Sequence, residues 1–536
     1  MQSMKKSILI LSLLFLCFGC KKKESEQNYS DLSLDEVTLE TYFKNHPESN
    51  VIQDEVRLFY QKREYQFAWF NKNGMTEAVP NFYNQLQNYS DDFKDTSFKI
   101  SQLDTKISTI ETEENTSKTD QKENEQLEIL LTTTFFKFSK KAYSGVTKNP
   151  RQLDWFIPVK KKNYQTLLNS LIAKDEDDTT NEPINKYYKT LRQKLREYRK
   201  IQDKGGFPKI VTTKKLLIVN ESDSCMPNVK KRLFLSGDLK TKDKTILFTA
   251  DLAKAVANFQ QRLGLPANGK IDSTTLTELN RTVDFRIKQM IINLERLRWL
   301  PLEVGENYLV VNIPEYKLHV FESKKLVWEA NVVVGKEAKR TSIFKGSVSQ
   351  IVLNPYWNIP NSIIIEEILP KLKKDASYLT KNNMELVAGG EVVNASRINW
   401  SKYSKTIPFE IRQKPGPDNS LGKMKFLFPN GFNIYLHDTP AKELFDRNKR
   451  DFSHGCIRVE NPKKLAVYLL RNDTDWKEEK IDAVLKTTAE TKIALKPKVP
   501  VFITYFTAWV DYKGNLNFRN DIYDLDNKLA NEVFEK

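Results

Sequence analysis

Cysteine and histidine are scarce in this chain of 536 residues, four of each, and the scarcity narrows its chemistry. The cysteines are Cys17, Cys20, Cys225 and Cys456. They are too few for a disulfide framework, although a single Cys225–Cys456 bridge stays open. No second CxxC or HxxxH completes a metal site, so no metal or organic cofactor is expected. Long apolar runs are also missing: beyond the first twenty residues nothing approaches the roughly 18 consecutive apolar residues of a bilayer span. Acidic residues are outnumbered, 69 against 85 Lys and Arg, for a net charge of +16. That balance favours acidic partners such as anionic headgroups, a polyanionic wall or nucleic acid. With no zinc finger, RNA-binding signature or concentrated basic helix, nucleic acid is not an expected partner. What remains, 40% hydrophobic and 29% charged, suffices for a sizeable core, and the length implies two or three domains.

The compartment is written in the first residues. Lys5-Lys6 gives a positive start, and Ser7 to Phe18 is an apolar run ending at Gly19-Cys20. The run is short for a span but suits a signal-peptide core. A small residue before a cysteine, followed by Lys21-Lys22-Lys23-Glu24, resembles a bacterial lipoprotein signal. Residues 1–19 then read as signal peptide and 20–32 as a polar tether. Cys20 would be lipidated, anchoring a periplasm-facing envelope protein to the membrane.

Residues 33–226 carry apolar positions at helical spacing and predict a helical scaffold, with a polar stretch at 104–127 as an exposed helix or loop. Residues 227–282 predict three short helices: one ends at Gly237, a second stops at Gly264, and a third starts at an N-cap on Ser273. Residues 283–307 read as a helical linker. From Tyr308 the pattern changes to period-two alternation of β-branched residues. Runs at 308–313, 317–321, 330–334, 350–353, 432–437 and 457–459 predict strands of a mostly β domain over 308–510. The mixed stretch 361–425 reads as a capping insertion, and 511–536 as a C-terminal extension. The expected class is multidomain α+β.

Two of the four histidines, His437 and His454, fall within twenty residues of each other, and His454 is two positions before Cys456. A cysteine with an ordinary pKa of about 8.5 is mostly protonated at neutral pH. A neighbouring imidazole can take the proton or stabilise the thiolate, which makes Cys456 a candidate nucleophile. Gly455 lets the backbone turn sharply, bringing main-chain N–H groups towards a developing oxyanion. His319 reads as a surface or packing residue and His46, beside Pro47, as a loop residue.

The segment His437-Asp438-Thr439-Pro440 followed by Ser453-His454-Gly455-Cys456-Ile457-Arg458-Val459 resembles the L,D-transpeptidase family. Asn354-Pro355-Tyr356-Trp357, Arg412-Gln413-Lys414-Pro415-Gly416-Pro417 and Asn419-Ser420-Leu421-Gly422-Lys423-Met424-Lys425-Phe426 are similar to its large branch with a capping loop. An AVxxFQ helix and a TLxxLN helix at 255–280 resemble a peptidoglycan-binding domain. The resemblance implies Cys456 as nucleophile, His437 as general base, and His454 and Gly455 in the oxyanion pocket. Arg458, Tyr435, Ser453 and Trp357 would then bind substrate. It implies peptidoglycan stem peptides and glycan as partners, 3-3 cross-links with release of D-alanine, and no cofactor. Water or a D-amino acid could replace the acceptor amine, making the site a carboxypeptidase or exchange centre. A non-catalytic wall-binding scaffold is the alternative from another class.

Overall fold

The computed structural model describes residues 30–114, 121–147, 149–173 and 182–534, so the signal peptide, most of the tether and Cys20 lie outside the described residues. The chain divides into two compact units. The first comprises Met1–Asn88, Thr96–Ser139 and Asn163–Thr180. It is helical, with Glu36–Asn45, Gln53–Lys62, Ile100–Glu114, Gln121–Ser139 and Tyr164–Ile172 as its helices. Among the described residues no helix is long and apolar enough to cross a membrane.

The core of the first unit is aromatic. Phe59, Trp69, Phe82, Phe135 and Phe136 are almost wholly buried and meet in tilted or edge-to-face pairs. One carboxylate is buried with them. Glu128 accepts the backbone N–H groups of Ala68 and Trp69 at 2.7 and 2.9 Å, and the Tyr60 hydroxyl at 2.8 Å. It thereby satisfies main-chain donors that no strand partner reaches.

The second unit comprises Tyr89–Asp95, Lys140–Lys162 and Asn181–Lys536. Its three-helix module runs through Met226–Leu235, Ala250–Arg262 and Ser273–Leu279. The third N-cap is Asp272, whose carboxylate accepts Thr275 N at 2.7 Å, and Ser273 is the first helical residue. Both side chains suit a cap, and the sequence alone does not set the register between them.

The expected linker contains a helix, Val283–Arg298, buried on nearly every side. Its polar residues are paired. Glu295 accepts Val146 N at 2.7 Å and Thr147 N at 3.0 Å, and holds Arg298 at 2.6 Å. Asn293 exchanges two hydrogen bonds with Thr507, and Arg296 meets Asp526.

The β domain is a nine-stranded sheet in which Lys325–Gly335 also pairs with Lys317–Glu322, so the sheet closes on itself. Around the ring, Lys325–Gly335 is followed by Ile457–Val459, Leu436–His437, Met424–Leu427, Lys345–Leu353, Thr491–Thr504, Tyr308–Asn312 and Lys317–Glu322. Alternate residues such as Leu309 and Val311, Leu318 and Val320, and Ile351 and Leu353 are fully buried, as period-two alternation demands. The 432–437 run pairs only at its end. Asn430 Oδ1 accepts Phe432 N and Ile434 N, and Asn433 has φ of 54°, so the approach to Leu436 is a turn.

Between two neighbouring strands of this ring, Lys345–Leu353 and Met424–Leu427, the chain builds a second sheet and a core of its own. That sheet orders Trp357–Asn358, Glu410–Gln413, Met384–Ala388 and Glu391–Val393. Ile364, Ile368, Leu369, Leu386, Trp400 and Ile411 pack beneath it. The insertion's sheet thus takes in Trp357, before 361, while Met424 and Lys425 belong to the main ring.

Burial raises the Glu128 carboxyl from its ordinary 4.5 to about 7. A raised carboxyl favours folding in its protonated form, fully below about 4.5, and loses that contribution as pH rises through about 7. Thermal unfolding of the helical unit is therefore expected to fall to lower temperature between about pH 5 and pH 8. Glu128→Gln should flatten that slope, and an unchanged slope in the variant would contradict it.

Candidate active site

Three adjacent strands of the ring set the site. Leu436–His437 lies between Met424–Leu427, antiparallel, and Ile457–Val459, parallel. The register puts Lys425 opposite His437 on one side and Arg458 opposite His437 on the other. Cross-strand partners share a face, so Lys425, His437 and Arg458 form a row. Tyr435 and Cys456 precede two of these by two residues, and their side chains emerge on the same face. The alternate residues Phe426, Leu436 and Ile457 are fully buried on the core side.

His437 is only 4% exposed. Its Nδ1 lies 2.5 Å from the carbonyl oxygen of Asp438. A carbonyl can only accept, so Nδ1 carries the proton and Nε2 is the bare lone pair. Nε2 has no hydrogen-bond partner among the described residues. The Asp438 carbonyl is itself held: the Asp438 carboxylate accepts Thr439 N at 2.7 Å, Lys423 N at 2.8 Å and the Lys442 ammonium. Gly422, at φ +60°, lies so close that a Cβ there would sit 2.4 Å from that carboxyl. Burial, with Arg458 next and Lys425 also contributing, lowers the imidazole to about 3. The ring is a neutral base at any physiological pH.

Cys456 is half-buried, and its thiol donates to Asn433 O at 3.6 Å. Burial raises the thiol, opposed by the Tyr435 backbone N–H and hydroxyl, both of which reach the sulfur, and by the charges of Lys425 and Arg458. Tyr435 also meets Trp357, whose indole reaches the same hydroxyl. Its ring lies 5.7 Å from the His437 ring. The resting site thus holds a protonated thiol and a neutral imidazole on one face, and the charges of Lys425 and Arg458 favour the thiolate once it forms.

The loop before Cys456 is braced from within. Ser453 Oγ donates to Cys456 O at 2.6 Å and accepts Gly455 N at 3.2 Å. Thr341 Oγ1 donates to Gly455 O at 2.8 Å, and Tyr523 OH accepts Thr341 N at 3.2 Å. Gly455 has φ of +111°, which a side chain at this position would strain. The His454 imidazole pairs with Glu367 of the insertion at 2.8 Å. Ser453 therefore uses its hydroxyl inside the loop.

Of the residues gathered here, the sequence points to Cys456, His437, Gly455, Ser453, Arg458, Tyr435 and Trp357, and not to Lys425, Asn433, Asp438 or Thr341 as site residues. Lys425 had one available signal, a charged residue alternating with buried Met424 and Phe426. The remaining histidines lie elsewhere. His319 is half-buried between Glu315 at 2.9 Å and Glu329 at 3.5 Å and lines a separate cavity of about 1800 Å³, while His46 follows its helix and stacks on Tyr42. Cys225 is buried and, like Cys456, a free thiol, which removes the bridge between them.

Residues 306–492 match the family described as "L,D-transpeptidase catalytic domain". Residues 54–195 match "Scaffold domain", and 229–279 match "Putative peptidoglycan binding domain". A Haemophilus influenzae protein described as "Putative L,D-transpeptidase" is 37% identical over 243 residues, covering 45% of this chain and 49% of that protein. The chain therefore spans about half the length of this curated relative. Two solved structures, both described as L,D-transpeptidases, are also similar. One, from Stackebrandtia nassauensis, is 12% identical with a TM-score of 0.22, covering 55% of this chain and 97% of its own. The other, from Xylanimonas cellulosilytica, is 11% identical with a TM-score of 0.17, covering 55% of this chain and 100% of its own.

A neutral thiol beside a neutral imidazole alkylates faster as pH rises, with no plateau near neutrality. Iodoacetamide labelling of Cys456, quantified by mass spectrometry, is expected to climb continuously through pH 9. Tyr435→Phe should slow it roughly tenfold at pH 7 by removing one donor to the thiolate. A plateau between pH 6 and 8 would instead reveal a preformed thiolate–imidazolium pair.

Proposed function

We propose that this chain, whose residues 306–492 match the L,D-transpeptidase catalytic domain, transfers the acyl group of a peptidoglycan stem peptide through Cys456. The carrying observation is the single open face on which Cys456, Tyr435 and His437 stand together, with His437 held as the Nδ1–H tautomer. His437 Nε2 takes the thiol proton as sulfur attacks the carbonyl of the third, L-centred residue. The resulting oxyanion is met by main-chain N–H groups of the 454–456 turn. The imidazolium returns its proton to the departing nitrogen, D-alanine leaves, and a thioester remains on Cys456.

In the second half, the side-chain amine of a diamino acid on a neighbouring stem attacks the thioester. His437 takes the amine proton and returns it to sulfur, leaving a 3-3 cross-link and a free thiol. Water in place of the amine gives a tripeptide, and a D-amino acid gives an exchanged stem. Every step uses side chains already on the face, with no metal or organic cofactor invoked. The module at 229–279, the basic charge and the lipoprotein-like start support a setting in the cell envelope, with peptidoglycan as the partner and Cys20 as the lipid anchor.

The test is peptidoglycan treated with the purified protein, digested and analysed by mass spectrometry. The wild type should generate 3-3 dimers or tripeptide stems, and Cys456→Ala should generate neither, with a loss of at least about a thousandfold. Products at wild-type levels from the variant would remove Cys456 from the reaction.

A further inference from the structure

Two cations stand on this face with no acid in an ion pair with either among the described residues. Lys425 is half-buried, and its ammonium makes no hydrogen bond or ion pair among the described residues. Its neighbour is the Tyr435 ring, 4.0 Å from Nζ to the centroid. Arg458, across His437, has a buried Nε with no partner and likewise no ion pair. Burial lowers both groups. The acids nearby are engaged or too far: Glu490 holds Lys492 at 3.3 Å and Tyr356 N at 3.0 Å, and Glu443 reaches Arg458 only as a distant charge. Partly buried charges are ordinarily paired, because removing a cation from water without a counter-ion is costly. The resting thiol is uncharged and supplies no counter-ion.

Resting on the assignment of Cys456 as nucleophile, we propose that Lys425, together with Arg458, binds the terminal carboxylate of the departing D-residue and makes the enzyme read the free end of the stem. That carboxylate is separated from the scissile carbonyl only by the amide nitrogen and one carbon. It therefore falls beside the sulfur, where the row Lys425–His437–Arg458 lies. A stem extended by one residue, or capped as an amide, places a neutral group there and leaves both cations unpaired. A site built around a charge rejects the analogue lacking it more strongly than an apolar pocket rejects a missing methylene. The carboxylate leaves with D-alanine, which re-empties the face for the acceptor amine.

The experiment compares two synthetic tetrapeptide stems, one ending in D-alanine as the free acid and one as its carboxamide, with the purified full chain. Tripeptide release or cross-linking is followed as kcat/KM. The wild type should prefer the acid by about 10- to 100-fold. Lys425→Gln should lose most of that preference by slowing the acid far more than the amide, and Lys425→Arg should retain it. Unchanged circular dichroism and thermal unfolding would establish that Lys425→Gln is folded. An unaltered acid-to-amide ratio in Lys425→Gln overturns the proposal. Equal slowing of both peptides also overturns it, because Lys425 would then act through the thiol. Failure of the wild type to turn over either peptide would overturn the assignment of Cys456, and this inference with it.

Discussion

The site depends on the register of one two-residue strand. Leu436–His437 is clamped between an antiparallel and a parallel neighbour, and a slip of one residue would turn His437 into the core side and Leu436 onto the site face. The register is fixed by the core side, where Phe426, Leu436 and Ile457 are fully enclosed, so hydrophobic burial sets the position of the chemical groups. The turn before the strand is held by Asn430 and the segment after it by Asp438. Between those anchors the imidazole has little freedom, as a preorganised base requires.

Electrostatics on this face are one-sided. Cations flank His437 in the sheet and lie near Cys456, and no acid is in contact with either. The same charges keep the imidazole neutral and favour the thiolate, so in the proposed reaction they would assist proton transfer from sulfur at the moment of attack rather than before it. The usual third partner of a nucleophile–base pair is a carboxylate; here it is the backbone carbonyl of Asp438, which orients the ring without adding negative charge. The carboxylate of that residue serves structure instead, holding the loop that supplies the carbonyl.

The candidate pair His437 and Cys456 is legible in the sequence because cysteine and histidine are rare enough here for their clustering to stand out. Lys425 was not, because one lysine among 85 Lys and Arg has no contrast until the strand pairing places it opposite His437. His319 shows the same limit: its alternating strand pointed to packing, while its role in an ion cluster comes from Glu315 in the preceding turn and Glu329 on the next strand. The helix Val283–Arg298 looked like a linker because it is rich in charge. Several of these charges are matched by residues distant in sequence, Glu295 by the 146–147 backbone and Arg296 by Asp526, and such pairing has no local signature. Period-two alternation, in contrast, is local, and most of the strands of the β domain were placed by it. The exceptions were 424–427, 451–453, 491–504 and the four strands of the insertion, which period-two alternation does not reveal, and 432–435, where Asn433 turns the chain.

The central claim is that a stem peptide becomes covalently attached to Cys456. Mixing the full chain with a tetrapeptide stem, quenching in acid and measuring intact mass tests it directly. The account predicts an adduct equal to the stem less D-alanine, mapped to the Cys456 peptide and released by hydroxylamine. Product formation with no such adduct, or an adduct on another residue, would contradict it.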